Sequence, residues 1–316
     1  DPFPYLAKWR ELARLKVLRG YQRLRAGETE AGLTDLVSVV QFGHAVENGS
    51  GTLFHYLSAR AIKAIGYSGV RLALGPPAGG RGFSPTAAML WRRASDELRQ
   101  CADSRPGLRM ALAEEYHSFE RRVRDPSLFA PPGRLRRRFP PRMLFDPEKT
   151  VAIGSKYFSQ YLVQCQQPYW KCRPVAMTEI QPPTGFGLKT VRYYLDNSTG
   201  KILLAIFVPA FDGLARKAAA SDAHFAATTT HIALWCYQAQ HRRLPGDLGE
   251  LVPSYLKAVA LDPFDGKPLR YLPARGLVYS IGPNGKDDGG REGKRRDDLD
   301  LVFPLAFVAA AGAAKP

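Results

Sequence analysis

A chain of 316 residues with 45% apolar content excludes wholesale disorder and is long enough for two domains. Lys and Arg number 45 against 29 Asp and Glu, a formal +16 that suits nucleic acid, anionic lipid or an acidic protein without choosing among them. The four cysteines include no CxxC pair, so a zinc ribbon is not supported, while their even number permits disulfides.

The first predicted helix runs from Tyr5 to Ala26, with Leu6, Trp9, Ala13, Val17, Tyr21 and Leu24 near helical period and Gly27 stopping it. A second follows from Thr29 to about Asn48, and a third from Thr52 to Leu74. The first pair, turning at Gly27-Glu28-Thr29-Glu30-Ala31, resembles a tetratricopeptide-type hairpin, but no 34-residue repeat continues it and an ordinary α-bundle is expected. A Gly/Pro loop over 76–85 precedes a helix from Thr86 to Cys101, and another runs from Leu108 to Val123. Glu114, Glu115, His117 and Glu120 on the latter read as a solvated face beside Arg121 and Arg122.

The irregular stretch 125–147 carries Arg134, Arg136, Arg137 and Arg138. Clustered Arg can grip phosphates or lipid headgroups, but without interleaved aromatics beyond Phe139 it reads as an exposed linker or a dock for an anionic partner. A helix resumes over Glu148–Cys165. Cys165 and Cys172 bracket a loop short enough for a disulfide, whereas Cys101 and Cys236 lie on helical segments and read as buried thiols. Thr190–Leu195 is rich in β-formers and reads as a strand. Asn48-Gly49-Ser50 and Asn197-Ser198-Thr199 match the glycosylation acceptor pattern, which recurs by chance.

From Gly200 the pattern changes. An apolar run, Leu203 to Phe211, leads into a long Ala-rich helix, with Pro209 expected to bend or start it because it lacks an amide donor. His224 and His231 share a helical face with His241 beyond them, a pattern that fits ordinary helix histidines better than a metal site. After the helix come Leu244-Pro245, Leu251-Val252-Pro253, the turn Asp262-Pro263-Phe264-Asp265-Gly266-Lys267-Pro268, and predicted strands over 268–272, 277–281 and 299–303. Between the last two strands lies the densest acidic cluster in a basic chain, and a hard cation held by carboxylates and carbonyls would neutralise it.

This order resembles the type IV pilin family, in particular the major pseudopilins of type II secretion, over about 200–304. The resemblance implies a long helix packed on a small antiparallel sheet and a calcium loop. Carried over by position, the ligands are Ser280, Asn284, Asp298 and Asp300. Asn284 stands where the family commonly has Asp, and Asp287 and Asp288 would compensate for the missing charge. The rival reading is a metal-free loop whose Asp residues pair with Lys286, Arg295 and Arg296. A pilin begins with a processed leader and a membrane-spanning helix; here the matching helix is internal, so processing at that point and packing into a filament core are not expected.

The expected architecture is α+β: a helical domain over 1–142, a linking segment over 143–198, a pseudopilin-like module over 199–304 and an Ala-rich tail over 305–316. No apolar run is long enough to span a bilayer, and a chain starting at Asp1 leaves room for a removed leader or anchor. No nucleophile–base arrangement, GxxxxGKS or GxGxxG is present, so a non-catalytic role is expected. The expected function is a structural or adaptor subunit of a bacterial cell-envelope assembly, extracytoplasmic, with protein subunits as partners and an anionic membrane surface as a further one. The alternative is a basic protein that binds nucleic acid or anionic surfaces through Arg134 to Arg138, with nucleic acid the less favoured ligand.

Overall fold

The computed structural model describes residues 3–49, 51–75, 85–125, 144–185, 187–293 and 299–308. Arg134, Arg136, Arg137, Arg138 and Asp298 lie outside them. The described residues form α-helices α1 (Pro4–Ala26), α2 (Thr29–Asn48), α3 (Leu53–Ala73), α4 (Pro85–Gln100), α5 (Arg105–Arg124), α6 (Pro147–Gln164), α7 (Leu188–Leu195), α8 (Ser198–Phe207) and α9 (Pro209–His241). Strands β1 (Arg270–Leu272), β2 (Leu277–Ser280) and β3 (Leu301–Pro304) form one antiparallel sheet in the order β1-β2-β3. The class is α+β, dominated by helix. The expected helix start at Pro209 is present, and the strands fall within three residues of their predicted limits.

The chain divides into two compact units at boundaries other than the sequential ones expected. The larger combines 1–49, 54–106 and 217–316; the smaller combines 50–53 and 107–216. The larger unit therefore takes the N-terminal helices and most of the pseudopilin-like stretch into one body. Leu36, Val40, Tyr67, Trp91 and Leu98 of α2–α4 share a core with Ile232, Leu234 and Trp235 of α9, Val278 of β2, and Leu305. A sequential domain boundary was expected because composition changes near Gly200, but burial follows three-dimensional packing.

Within the larger unit, α1 and α2 form a hairpin whose turn follows the sequence signals. Gly27 caps α1 in the left-handed region (φ 90°), with the Gly27 and Glu28 amides returning to the Leu24 and Arg23 carbonyls. The helices touch backbone to backbone: a Cβ on Gly32 would lie 2.8 Å from the Gly20 carbonyl oxygen. Asp35 of α2, buried at this contact, accepts from the Arg19 guanidinium at 2.9 and 2.6 Å and from Arg23 at 3.0 Å. These contacts hold its carboxyl below the ordinary carboxylate range, the Arg19 hydrogen bond contributing most.

Deeper in the unit, Glu47 of α2 bonds Arg60 at 2.9 Å and Lys63 at 2.6 Å, both on α3. Lys63 also donates to the Cys101 carbonyl and Ser104 Oγ, while Arg60 reaches Asp222 of α9 at 2.8 Å. Burial opposes ionisation of Glu47, but Arg60 and Lys63 outweigh it and its carboxyl sits below its usual value. The stretch Ala226–Tyr237 of α9 is buried on every side. Its polar groups are handled locally: Thr228 and Thr230 donate their hydroxyls to carbonyls four residues back in the helix.

The smaller unit is built around Phe119, Phe158 and Phe211, with Phe158 and Phe211 rings 4.8 Å apart. Asp146 caps α6 by accepting from the Lys149 amide. The segment 190–195, expected as a strand, is helical within α7. Leu188, Val191 and Leu195 recur at helical spacing, and Tyr193 of this helix donates to the Ile180 carbonyl, a tertiary contact that outweighs β-propensity. Asn197, 1% exposed, accepts from the Asp146 amide and donates to Thr150 Oγ1, so its side chain is not presented as a glycosylation acceptor.

Glu47→Ala would leave two buried cations without their shared anion. It is expected to lower unfolding free energy by about 3–5 kcal/mol in a urea titration. A loss below about 1 kcal/mol would show that the cluster is dispensable.

Candidate functional site

The chemistry-bearing residues after α9 gather around the turn 262–268 and the acidic loop between β2 and β3. Gly276 in the left-handed region starts β2, and the Leu305 amide returns to its carbonyl, so β2 and β3 leave this point in register. Pairing of Tyr279 with both Arg270 and Val302 fixes the sheet beneath the loop.

Asp262, fully buried, is the hub. Its Oδ1 accepts from the Phe264 amide at 2.9 Å and from Ser280 Oγ at 2.8 Å. Its Oδ2 accepts from the Ile281 amide at 2.8 Å and from Arg270 at 3.0 Å. Arg270 also binds Asp265 through two nitrogens and approaches Asp287 at 3.5 Å, so one guanidinium gathers three carboxylates. Asp265 is held below the usual carboxylate range, chiefly by the hydrogen bond from Arg270. Sequence reading placed the Asp262–Pro268 turn but missed this hub, because its partners lie up to 19 residues away in the chain.

Of the six residues expected as calcium ligands, Asp298 lies outside the described residues, and the other five divide between two sets of partners. Ser280 is buried in β2; its hydroxyl donates to Asp262 and accepts from the Gly282 amide, so it faces the turn. Asp287 accepts from the Tyr279 hydroxyl and the Gly289 amide. Burial and then Asp287 push the Tyr279 phenol up to about 12. Asn284 donates to Asp288 at 2.8 Å, and the Asp288 amide donates to Asp300 at 3.2 Å, keeping these three together. Asp300 is buried and also accepts from the Gly290 and Arg291 amides at 2.7 and 3.4 Å. Among the described residues, no three His, Cys, Asp or Glu side chains converge as a metal site.

Ser280 and Asp287 therefore do not fit the calcium set, being turned to Asp262 and to Tyr279. Asn284, Asp288 and Asp300 are linked by hydrogen bonds, the Asp288–Asp300 link running through the Asp288 backbone amide, and Asn284 Oδ1 accepts from the Lys286 amide; Asp298 lies next to them in sequence but outside the described residues. The observation that supports the fit is a buried Asp300 carboxylate with no Lys or Arg side chain bonded to it among the described residues, its charge met only by backbone amides.

The other sequence candidates are dispersed. Cys165 and Cys172 are free thiols, not the expected disulfide: Cys172 Sγ lies 3.6 Å from the Gln164 and Pro168 carbonyl oxygens, and burial pushes the Cys165 thiol up to about 12. Cys101 and Cys236 are buried thiols. His224 Nδ1 accepts from Arg71 at 3.0 Å and its ring meets Phe303 edge-on, while the His241 ring packs at a tilt on Tyr237. His231 is fully buried, and burial followed by Arg71 pushes it down to about 3, so it is neutral at ordinary pH. Of the acidic face of α5, Glu115 accepts from the Leu53 amide and Glu120 pairs with Arg124.

No helix among the described residues is long and apolar enough to cross a membrane. No protein-family model, curated protein or solved structure matches this chain.

Asp262→Asn would set an amide NH2 against backbone N–H groups it can no longer satisfy. A loss of about 2–3 kcal/mol is expected by denaturant titration; wild-type stability would remove Asp262 as the hub. Because Asp265 is depressed in the folded state, its contribution is present above the ordinary carboxylate range and is lost as pH falls through its folded value. Asp265→Asn should therefore flatten the acid side of the stability–pH profile, read from Tm at stepped pH.

Proposed function

We propose that the protein is a non-catalytic structural or adaptor subunit of a bacterial cell-envelope assembly, working outside the cytoplasm. What supports this reading is the order of the elements in the larger unit. A long helix, α9, is followed by the Leu251-Val252-Pro253 turn, the Asp262–Pro268 turn, and a three-stranded antiparallel sheet closed by an acidic loop. The helix and sheet share one core, as a pseudopilin-like module would. The buried Glu47, Arg60, Lys63 and Asp262 are engaged in pairing within the fold, which suits a scaffold. In this reading the partners are protein subunits of the assembly, and the module's role is to present a stable folded head.

Calcium is part of the proposal. Asn284, Asp288 and Asp300, with Asp298, would hold it through side-chain oxygens, and Ca²⁺ takes six to eight such oxygens. Bound there, the cation supplies charge neutralisation to the loop and no reaction chemistry. A ligand of the native state stabilises by about 2.7 kcal/mol at one hundred times its Kd. Millimolar Ca²⁺ is therefore expected to raise Tm and EDTA to reverse it, with Asp300→Asn abolishing the response. Superimposable melting curves with and without Ca²⁺ would remove the cation from the proposal. Fractionation of native cells tests the remainder: co-purification with envelope subunits is expected, and recovery as a free cytosolic protein would overturn it.

A further inference from the structure

Helix α1 turns a surface to solvent that neither the fold nor the pseudopilin-like stretch uses. Along its 23 residues stand seven Lys or Arg and one Glu. Its inner side is spoken for: Leu6, Ala13 and Gly20 are buried, and Lys16, Arg19 and Arg23 converge on Asp35. Its outer side carries Leu12, Leu15 and Leu18, exposed by 61, 61 and 53%. At 3.6 residues per turn this i, i+3, i+6 spacing winds a slanted leucine stripe about 120° wide. Exposed Lys8 lies within the stripe and Arg14 and Arg25 at its edge, against a single exposed Glu11 inside it, and none of the three cations makes an ion pair with a described residue.

A soluble surface normally scatters its exposed leucines, so three in one stripe inside a strongly cationic helix point to an occupant. A nucleic acid would use the cations but leave the leucines in water. A second copy packed as a coiled coil would need an apolar seam, yet the exposed 8-11-15-18-22 positions read Lys, Glu, Leu, Leu, Gln, apolar at only two. An anionic bilayer uses both features. Leucines enter the headgroup–acyl boundary, and Lys and Arg stems lie along the apolar layer while their heads reach lipid phosphates.

We propose that the outer face of α1, through Leu12, Leu15 and Leu18 with Lys8, Arg14 and Arg25, binds an anionic lipid surface. This names a partner for a cell-envelope protein but rests on α1 alone, not on the calcium loop or the pseudopilin-like reading.

The test is co-sedimentation of the full chain with vesicles of phosphatidylcholine alone or of equal parts phosphatidylcholine and phosphatidylglycerol. Binding to the anionic vesicles only, released by high salt, is expected. Each of Lys8→Gln, Arg14→Gln and Arg25→Gln should lower the partition coefficient about fivefold. The triple variant Leu12→Ser/Leu15→Ser/Leu18→Ser should lose at least about tenfold. All six positions are exposed, so an unchanged melting curve serves as the folding control for each variant. Equal partition into both vesicle types, or variants that bind like the wild type, would overturn the proposal. So would duplex DNA or RNA binding without vesicle binding, or a dimer in solution that dissolves in the leucine variant and ignores vesicles. None of these failures touches the Ca²⁺ response or the co-purification result, so the two readings fail separately.

Discussion

A helix segment with no exposed side has to be surrounded, and the length of Ala226–Tyr237 in α9 sets how much of the chain is needed to surround it. The sheet packs against part of it, and α2, α3 and α4 supply much of the rest. That requirement explains why α9 and the sheet do not form a body of their own here. It also constrains chemistry along the helix. A buried hydroxyl or imidazole must find a partner or stay neutral, so the threonines bond back into the helix and His231 is kept uncharged by its surroundings.

The charged groups of the larger unit divide into two kinds by the same logic. Glu47, Arg60 and Lys63 carry their charges into the interior only as a connected set, with half-exposed Asp222 at its edge, and Asp262 with Arg270 does so beneath the sheet. Such sets gain little net stability over an apolar core but penalise any packing that separates their members. They act as registers: α2 against α3 and α9 in one case, the turn against β2 in the other. Asp300 belongs to neither set, since among the described residues its carboxylate is met by backbone amides.

Much of the local structure was legible in the sequence because punctuation is local. Gly27, Pro209 and the Gly-rich turns mark their boundaries by backbone chemistry that needs no tertiary context, and the short apolar run Leu277–Ile281 announced a strand. Failures came where distance in the chain decided the outcome. Thr190–Leu195 has β-forming composition, yet packing of Tyr193 makes it helical. Cys165 and Cys172 have the spacing of a bridge without forming one. Asp262 looked like one turn residue among several, since nothing near it reveals that Ile281 and Ser280 will donate to it. The partition into units was hidden for the same reason: a change in composition near Gly200 is visible, and a shared core is not.

That partition has a consequence for biogenesis. The larger unit is discontinuous in the chain, with Gly107–Arg216 of the smaller one synthesised between its two main parts. Chain entropy alone is a mild obstacle, since each doubling of a closing loop costs only about 0.6 kcal/mol. Time is the greater one: at about 5–20 residues per second, the ribosome needs on the order of ten seconds to pass from Pro106 to Lys217. Through that interval the core faces of α2, α3 and α4, with Leu36, Val40, Tyr67 and Trp91, have no α9 to cover them. The nascent N-terminal helices are thus natural clients for a holding chaperone, and the smaller unit, complete earlier in the chain, is free to fold first.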